Sequence, residues 1–201
     1  MNKDVLLKSI AETAYNVGYG AKVNFATLDI IEKLPGFLSF VGLVVGIYAL
    51  FVPELTSNQV GAAMVLLGIA GLYLGMYQPD RDRYEAAGKA LTAQFYELKN
   101  LYNTAKSRPD TADFTDLVQG HSSIQSALVN VSVSKQVLFS DWYAHYKFFW
   151  QQQIEWIDEQ KSFGLFRDKV PLTAWFAAGF VCLLFIYHFA SKLSIFSCLV
   201  K

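Results

Sequence analysis

The sequence predicts an all-α membrane protein, and three observations carry that prediction. Two uncharged apolar blocks, Gly36–Val52 of 17 residues and Val60–Tyr77 of 18, are joined by the seven residues PELTSNQ. Each block falls within the ~17–25 residues that a helix needs to cross a hydrocarbon layer of ~30 Å. Outside the blocks, apolar residues recur in steps of three and four, and no strand-like alternation competes. Finally, the chain is 53% hydrophobic with a mean hydropathy of +0.27, yet carries 17 basic and 17 acidic residues. That balance suits membrane spans attached to a substantial aqueous part.

Residues 1–35 read as an N-terminal amphipathic helix. Leu6, Ile10, Ala14, Val17, Ala21, Leu28 and Ile31 form its apolar stripe. Such a stripe serves equally a helix packed on the rest of an aqueous domain and one lying on a membrane surface. Gly18 and Gly20 are expected to bend it midway. Leu34-Pro35-Gly36 is expected to break it and turn the chain into the bilayer. The opening MNKDVLLKSIAETAYN has no apolar run long enough for the core of a signal peptide.

Residues 36–78 form the expected transmembrane hairpin. Lys3, Lys8, Lys22 and Lys33 precede it, Arg81, Arg83, Lys89 and Lys99 follow it, and the connecting loop holds only Glu54. The positive-inside rule places both flanks, and with them the N-terminus and middle domain, in the cytoplasm and the loop outside. Neither span contains Asp, Glu, Lys or Arg, which disfavours a transporter subunit, since ion coupling uses intramembrane charge. Small residues recur instead: Gly42 with Gly46, Gly71 with Gly75, and Gly61, Ala62, Ala63 and Gly68 beside them. They suit either close packing within the hairpin or association between copies. Two or three helices enclose no conduit alone, so a channel requires a homo-oligomer, for which a tetramer would serve. Val65, Leu72 and Met76 are the apolar residues suited to gate such a channel by dewetting.

Residues 79–170 read as a cytoplasmic helical domain. Tyr84, Gly88, Leu91, Phe95, Leu98, Tyr102 and Ala105 make a seam at heptad spacing, ended at Ser107-Arg108-Pro109-Asp110. A second long helix is expected from Thr111–Asp113 through Leu117, His121, Ile124, Leu128, Val131, Lys135, Leu138, Trp142 and His145 to Phe149, forming an antiparallel hairpin with the first or an assembly across subunits. Between 141 and 169, nine of 29 residues are aromatic: Trp142, Tyr143, Tyr146, Phe148, Phe149, Trp150, Trp156, Phe163 and Phe166. That density fits an interfacial belt, a subunit interface, or a base-stacking platform with Lys147, Lys161, Arg167 or Lys169 as phosphate partners. Residues 171–201 bring a third apolar helix, Leu172–Phe189, and a tail.

Chemistry-bearing motifs are sparse. His121, His145 and His188 lie far apart, and interior, hydrogen-bonded histidines explain them better than ligands do. Cys182 and Cys198 make neither a disulfide framework nor a metal quartet. GKALTA at 88–93 lacks the upstream glycine of a phosphate loop. The sequence therefore predicts no catalytic residues, no metal and no cofactor. Between 80 and 170 there are 11 basic and 12 acidic residues, so an anionic ligand would need a focused pocket. The best cations for one are Arg81 and Arg83 beside Tyr84, with Lys147 and Trp150 as a further pair. Asp80, Asp82 and Glu85 interleave with the arginines, which a surface ion-pair cluster explains more simply.

Four stretches resemble the SLATT family of bacterial membrane effectors: GYGAKVNFATLDIIEKLPGF, GIYALFVPEL, GLYLGMYQPDRDRYEAAGKALTAQFYELKNLYNTAKS and DWYAHYKFFWQQQIEWIDEQKSF. The likeness spans about residues 10–165. It implies a pore-forming effector of anti-phage defence, controlled by a nucleotide signal from a separately encoded nucleotidyltransferase. Two arrangements fit. Either a cyclic oligonucleotide made on infection opens the effector, or, as in the Hailong type, single-stranded DNA oligomers hold it shut and their loss releases it. The alternative is a non-conducting membrane anchor or scaffold that recruits a cytoplasmic partner.

Overall fold

The computed structural model describes residues 2–128, 131, 133–164 and 167–192, with only the backbone for the last three. Phe166, Cys198 and the tail from 193 onward lie outside the described residues. Every regular element described is helical. The chain divides into two units, residues 1–162 and 163–201.

The first unit is built on two rods. Helix α1 runs unbroken from Lys3 to Tyr48. The second rod is α2, Asn58–Gly75, followed after a 3-10 turn at Gln78–Asp80 by α3, Arg81–Ser107. At ~1.5 Å per residue, α3 is about 40 Å long. The rods are antiparallel: Lys3 pairs with Asp110 at 3.1 Å at one end, and Arg81 pairs with Glu32 at 2.6 Å at the other. The turn between α1 and α2 is a 3-10 helix at Pro53–Thr56, and Ser57 caps α2 by accepting from the Val60 N–H.

Why α1 does not break is a matter of hydrogen bonds. Proline inside a helix removes the N–H that would reach the carbonyl four residues back. For Pro35 that carbonyl belongs to Ile31, and the Gln78 side chain donates to it from Nε2 at 2.6 Å. The vacancy is filled from the other rod, and the helix continues into the first apolar block. Gly18 and Gly20 both lie within this continuous helix. Gly18 makes room, because a Cβ there would lie 2.7 Å from the Phe95 ring and 2.9 Å from Phe148. Gly88 does the same for Phe25, whose ring would stand 2.9 Å from an added Cβ.

The N-terminal stripe is core: Leu6, Ile10, Ala14, Val17, Ala21 and Ile31 are buried, as is every residue of the α3 seam from Tyr84 to Ala105. The two stripes pack mainly on each other, so α3 pairs with α1 and not with a long following helix. That second long helix is absent. Helix α4, Thr115–Leu128, begins at an Asp113 whose carboxylate accepts from the Thr115 N–H at 3.0 Å and hydroxyl at 2.7 Å. It stops at Leu128, and residues 133–137 are not helical. The sequence Val129–Ser134, VNVSVS, alternates β-branched with short polar residues, all weak helix formers. Helix α5, Ser140–Tyr146, passes through a π-helical turn at Lys147–Gln151, and α6 spans Glu155–Lys161. Within the aromatic-rich stretch, Phe148, Phe149 and Trp156 are buried core residues, while Tyr146 and Trp150 remain exposed. The dense aromatics are thus divided between packing and surface.

In the second unit, α7, Leu172–Lys192, is apolar and long enough to cross a membrane. Its described side chains are mostly exposed.

Candidate functional site

The two rods leave their apolar halves and enter the aqueous body at one level, and a neck of specific contacts forms there. Ile31, Leu74, Tyr77, Tyr84 and Val137 make its core. Around this core the polar groups are paired. Gln78 holds the Ile31 carbonyl, Arg81 holds Glu32, and Arg83 holds Asp80 at 3.1 Å. Asp29 accepts from Lys33 at 2.5 Å and also from Lys147. Burial opposes ionisation of Asp29, but the hydrogen bonds from these two ammonium groups outweigh it and hold the carboxyl below its usual range. Lys22, half-buried on the same helix, has its pKa lowered by burial first and by the nearby Lys147 charge second.

The non-helical segment 133–137 is bonded to both rods at the neck. The Tyr84 hydroxyl donates to the Lys135 carbonyl at 2.5 Å, and the Tyr77 hydroxyl to the Gln136 carbonyl at 3.3 Å. Thr27 donates to the Gln136 side chain, which itself donates to the Val133 carbonyl at 2.6 Å. These bonds fasten residues from both rods to one strap.

Of the residues singled out as anion-binding candidates, Arg81, Arg83 and Lys147 all carry carboxylate partners in this conformation. Tyr84 is fully buried and presents no ring face. Trp150 is exposed, on the π-helical turn that begins at Lys147. Glu32, Asp29, Pro35 and Gln78 were not legible as site residues. Pro35 held the available signal, since a proline inside a helix requires some other donor for the carbonyl of residue 31.

In the membrane half, a groove of about 440 Å³ separates the two spans, lined by residues that include Pro35, Gly42, Met64, Gly68, Gly71 and Leu72. Only Gly42 meets the opposite helix, with Met64 Cε 3.4 Å from an added Cβ. A Cβ on Gly46, Gly61, Gly68, Gly71 or Gly75 would meet nothing within 4 Å. Val65, Leu72 and Met76 stand exposed along α2. Far from the membrane, the buried His121 ring shares a hydrogen bond of 2.8 Å with the Thr13 hydroxyl and ties α4 to α1. No group of His, Cys, Asp and Glu suited to a metal ion occurs among the described residues.

Two apolar antiparallel spans running directly into a helical body are the architecture of a two-transmembrane effector domain. The family model described as SMODS and SLOG-associating 2TM effector domain 6 matches residues 1–178. The chain belongs to the SLATT family. Neither the comparison with curated proteins nor the comparison with solved structures finds a match. As a SLATT protein it is a membrane effector of anti-phage defence, from a family associated with SMODS nucleotidyltransferases and known for effector rather than catalytic domains. The family match ends at residue 178, seven residues into α7. The SLATT domain here thus comprises the two rods, the neck and the packed helices α4 to α6, with the third apolar helix largely beyond it.

Proposed function

We propose that this SLATT protein is a homo-oligomeric membrane pore, set by a nucleotide or short single-stranded DNA oligomer that a separately encoded nucleotidyltransferase makes. Its opening disrupts the inner membrane and arrests the infected cell. The observation that supports this best is the unfilled glycine surface of the spans. Six glycines of the spans, Gly36 among them, have open space where a side chain would be, and small residues on membrane helices are where neighbouring backbones approach. One hairpin encloses no conduit, so several copies, for example four, must supply the wall. Val65, Leu72 and Met76 give that wall the apolar lining that closes by dewetting.

Control acts at the neck. Arg81, Arg83 and Lys147 each hold a carboxylate, and an anionic oligomer that takes Arg81 releases Glu32 of α1, while one that takes Lys147 leaves Asp29 to Lys33 alone. Trp150 offers an exposed ring on which a base stacks. Because α1 and α2–α3 pass straight from the body into the spans, a change in how they pair is a change in the membrane. The basic flanks orient the body to the cytoplasm. The test is leakage from liposomes that carry the purified protein, a self-quenched dye and an ion reporter, with and without short DNA oligomers or cyclic nucleotides. Leakage that one ligand starts or stops supports the gated pore and gives the sign of control. Tight vesicles under every condition, with the protein inserted, refute it in favour of a non-conducting anchor.

A further inference from the structure

Beside the neck lies an apolar patch that the described chain does not cover. Leu138 and Phe139 are 63% and 60% exposed, and Trp142 and Tyr143 extend the patch into α5. Its position is fixed by backbone bonds rather than left to a loose loop. The Leu138 N–H donates to the Tyr73 hydroxyl at 3.1 Å, and Lys135 Nζ lies 4.4 Å from the centre of the Tyr77 ring. Phe139 holds a φ of 69°, in the left-handed region that bulky residues rarely adopt. It is kept there by the Ser140 N–H bond to the Val137 carbonyl and the Tyr143 N–H bond to its own carbonyl, each 3.1 Å.

The height of the patch decides its environment. Tyr73 and Tyr77 belong to the last turn of the second apolar block, and Tyr73 lies ~6 Å of helix rise inside Tyr77. A backbone group bonded to the Tyr73 hydroxyl therefore stands level with the end of the span, not below it. The exposed Leu72 lies in the last turn of α2 and the exposed Met76 follows its last residue. On the opposite side, Tyr143 lines a pocket of about 230 Å³ with Ile30, Leu34 and Phe37, where the first span begins, and Lys33 lines it too. The patch is thus continuous with the lipid-facing surface of both spans. Its composition is that of a bilayer boundary, where aromatic side chains gather and Lys meets phosphates.

We propose that residues Val137–Tyr143 are a third membrane contact of the SLATT body, dipping into the leaflet that faces it. Leu138 and Phe139 enter the boundary between headgroups and acyl chains, Trp142 and Tyr143 sit at headgroup level, and Lys33 and Lys135 face lipid phosphates. The strap fastened at the neck is therefore held from both sides, by the rods and by lipid. This inference needs the spans to lie in a bilayer and does not depend on conduction.

The test is depth-resolved fluorescence quenching on the full chain in phospholipid nanodiscs, after Cys182→Ser and Cys198→Ser. An environment-sensitive dye is placed on Phe139→Cys, on Leu138→Cys as a second position, and on Thr104→Cys far along α3 as the aqueous reference. The expected result is blue-shifted emission at 138 and 139, quenched at least threefold more than at 104 by lipids spin-labelled near the headgroup. Water-like emission with quenching equal to that at 104 overturns the proposal. Blue-shifted emission that no spin-labelled lipid quenches also overturns it, because another copy of the chain then covers the patch.

Discussion

Replacing Gln78 tests the neck most directly, because its contribution is tied to one other residue. In Gln78→Ala the Ile31 carbonyl loses the donor now 2.6 Å away. A part-buried carbonyl left without a partner costs ~1–3 kcal/mol. For a chain of this length each kcal/mol corresponds to roughly 2–4 °C in Tm, so the single variant should melt about 2–12 °C lower. Pro35→Ala supplies the missing N–H from within α1, and the same carbonyl then has two possible donors. In that background Gln78→Ala should cost far less, giving a coupling of ~1–3 kcal/mol in the double-mutant cycle, well above the ~0.5 kcal/mol at which independent sites add. The assay is the thermal melt of the four proteins in one detergent, followed by circular dichroism. Equal cost of Gln78→Ala with and without Pro35 would refute the argument that the glutamine replaces the hydrogen bond proline removes. Gln78→Glu sharpens the test, because an ionised carboxylate has no proton to donate.

Three further outcomes follow from the same structure. Gly18→Ala should destabilise by ~1–3 kcal/mol through overpacking against Phe95 and Phe148, read as a lowered melting temperature. Gly46→Ala and Gly75→Ala, with nothing within 4 Å of the added Cβ, should leave the melt of the monomer within ~0.5 kcal/mol but weaken self-association, measured by native mass spectrometry or cross-linking; unchanged assembly would remove those glycines from the intersubunit surface. His121 resists protonation because burial lowers its pKa from the ordinary 6.5. The unfolded chain therefore binds the proton more readily, so stability from this group is complete above pH 6.5 and falls as pH drops below it. Melts between pH 7.5 and 5.5 should show that loss, and His121→Gln should flatten it; Asp29, Asp116 and Glu159, whose pKa values are lowered, contribute only at more acid pH.

The periodic part of the fold was legible because burial writes itself into spacing. Each of the seven residues of the α3 seam is buried, and the stripe on α1 proves to be its partner. What spacing could not give was the partner's identity, since an apolar stripe states that it is covered and not by what. Reading Val131, Lys135 and Leu138 as a continuing helix failed for a related reason: steps of three and four persist by chance where propensity turns against the helix. Segment 133–137 is held instead by hydroxyls of Tyr77, Tyr84 and Thr27 that lie about 50 to 110 residues away in sequence. Arg81 and Arg83 each meet a carboxylate, but Glu32, the partner of Arg81, is distant in sequence and only the antiparallel pairing of the rods brings it near.

The prolines give the neck its mechanical sense. Pro35 in one rod and Pro79 in the other fall where the two rods are fastened, so each rod has its weakest backbone at the same level. Unsupported, two such points would let the spans and the aqueous body move independently, and a signal received by the body would be lost there. Gln78 and Arg81 cross between the rods at that level, joining to Ile31 and Glu32 on successive residues of α1. The amide supplies the hydrogen bond that Pro35 lacks, whereas the ion pair is exposed and therefore accessible to a competing anion. The two crossings should separate in experiment. Arg81→Ala should change melting little, because water screens an exposed ion pair, yet should alter ligand control of leakage. Gln78→Ala should lower melting and uncouple leakage from ligand altogether. If both variants shift melting and leakage in parallel, the neck acts only as a structural joint, and the signal reaches the spans by some other contact.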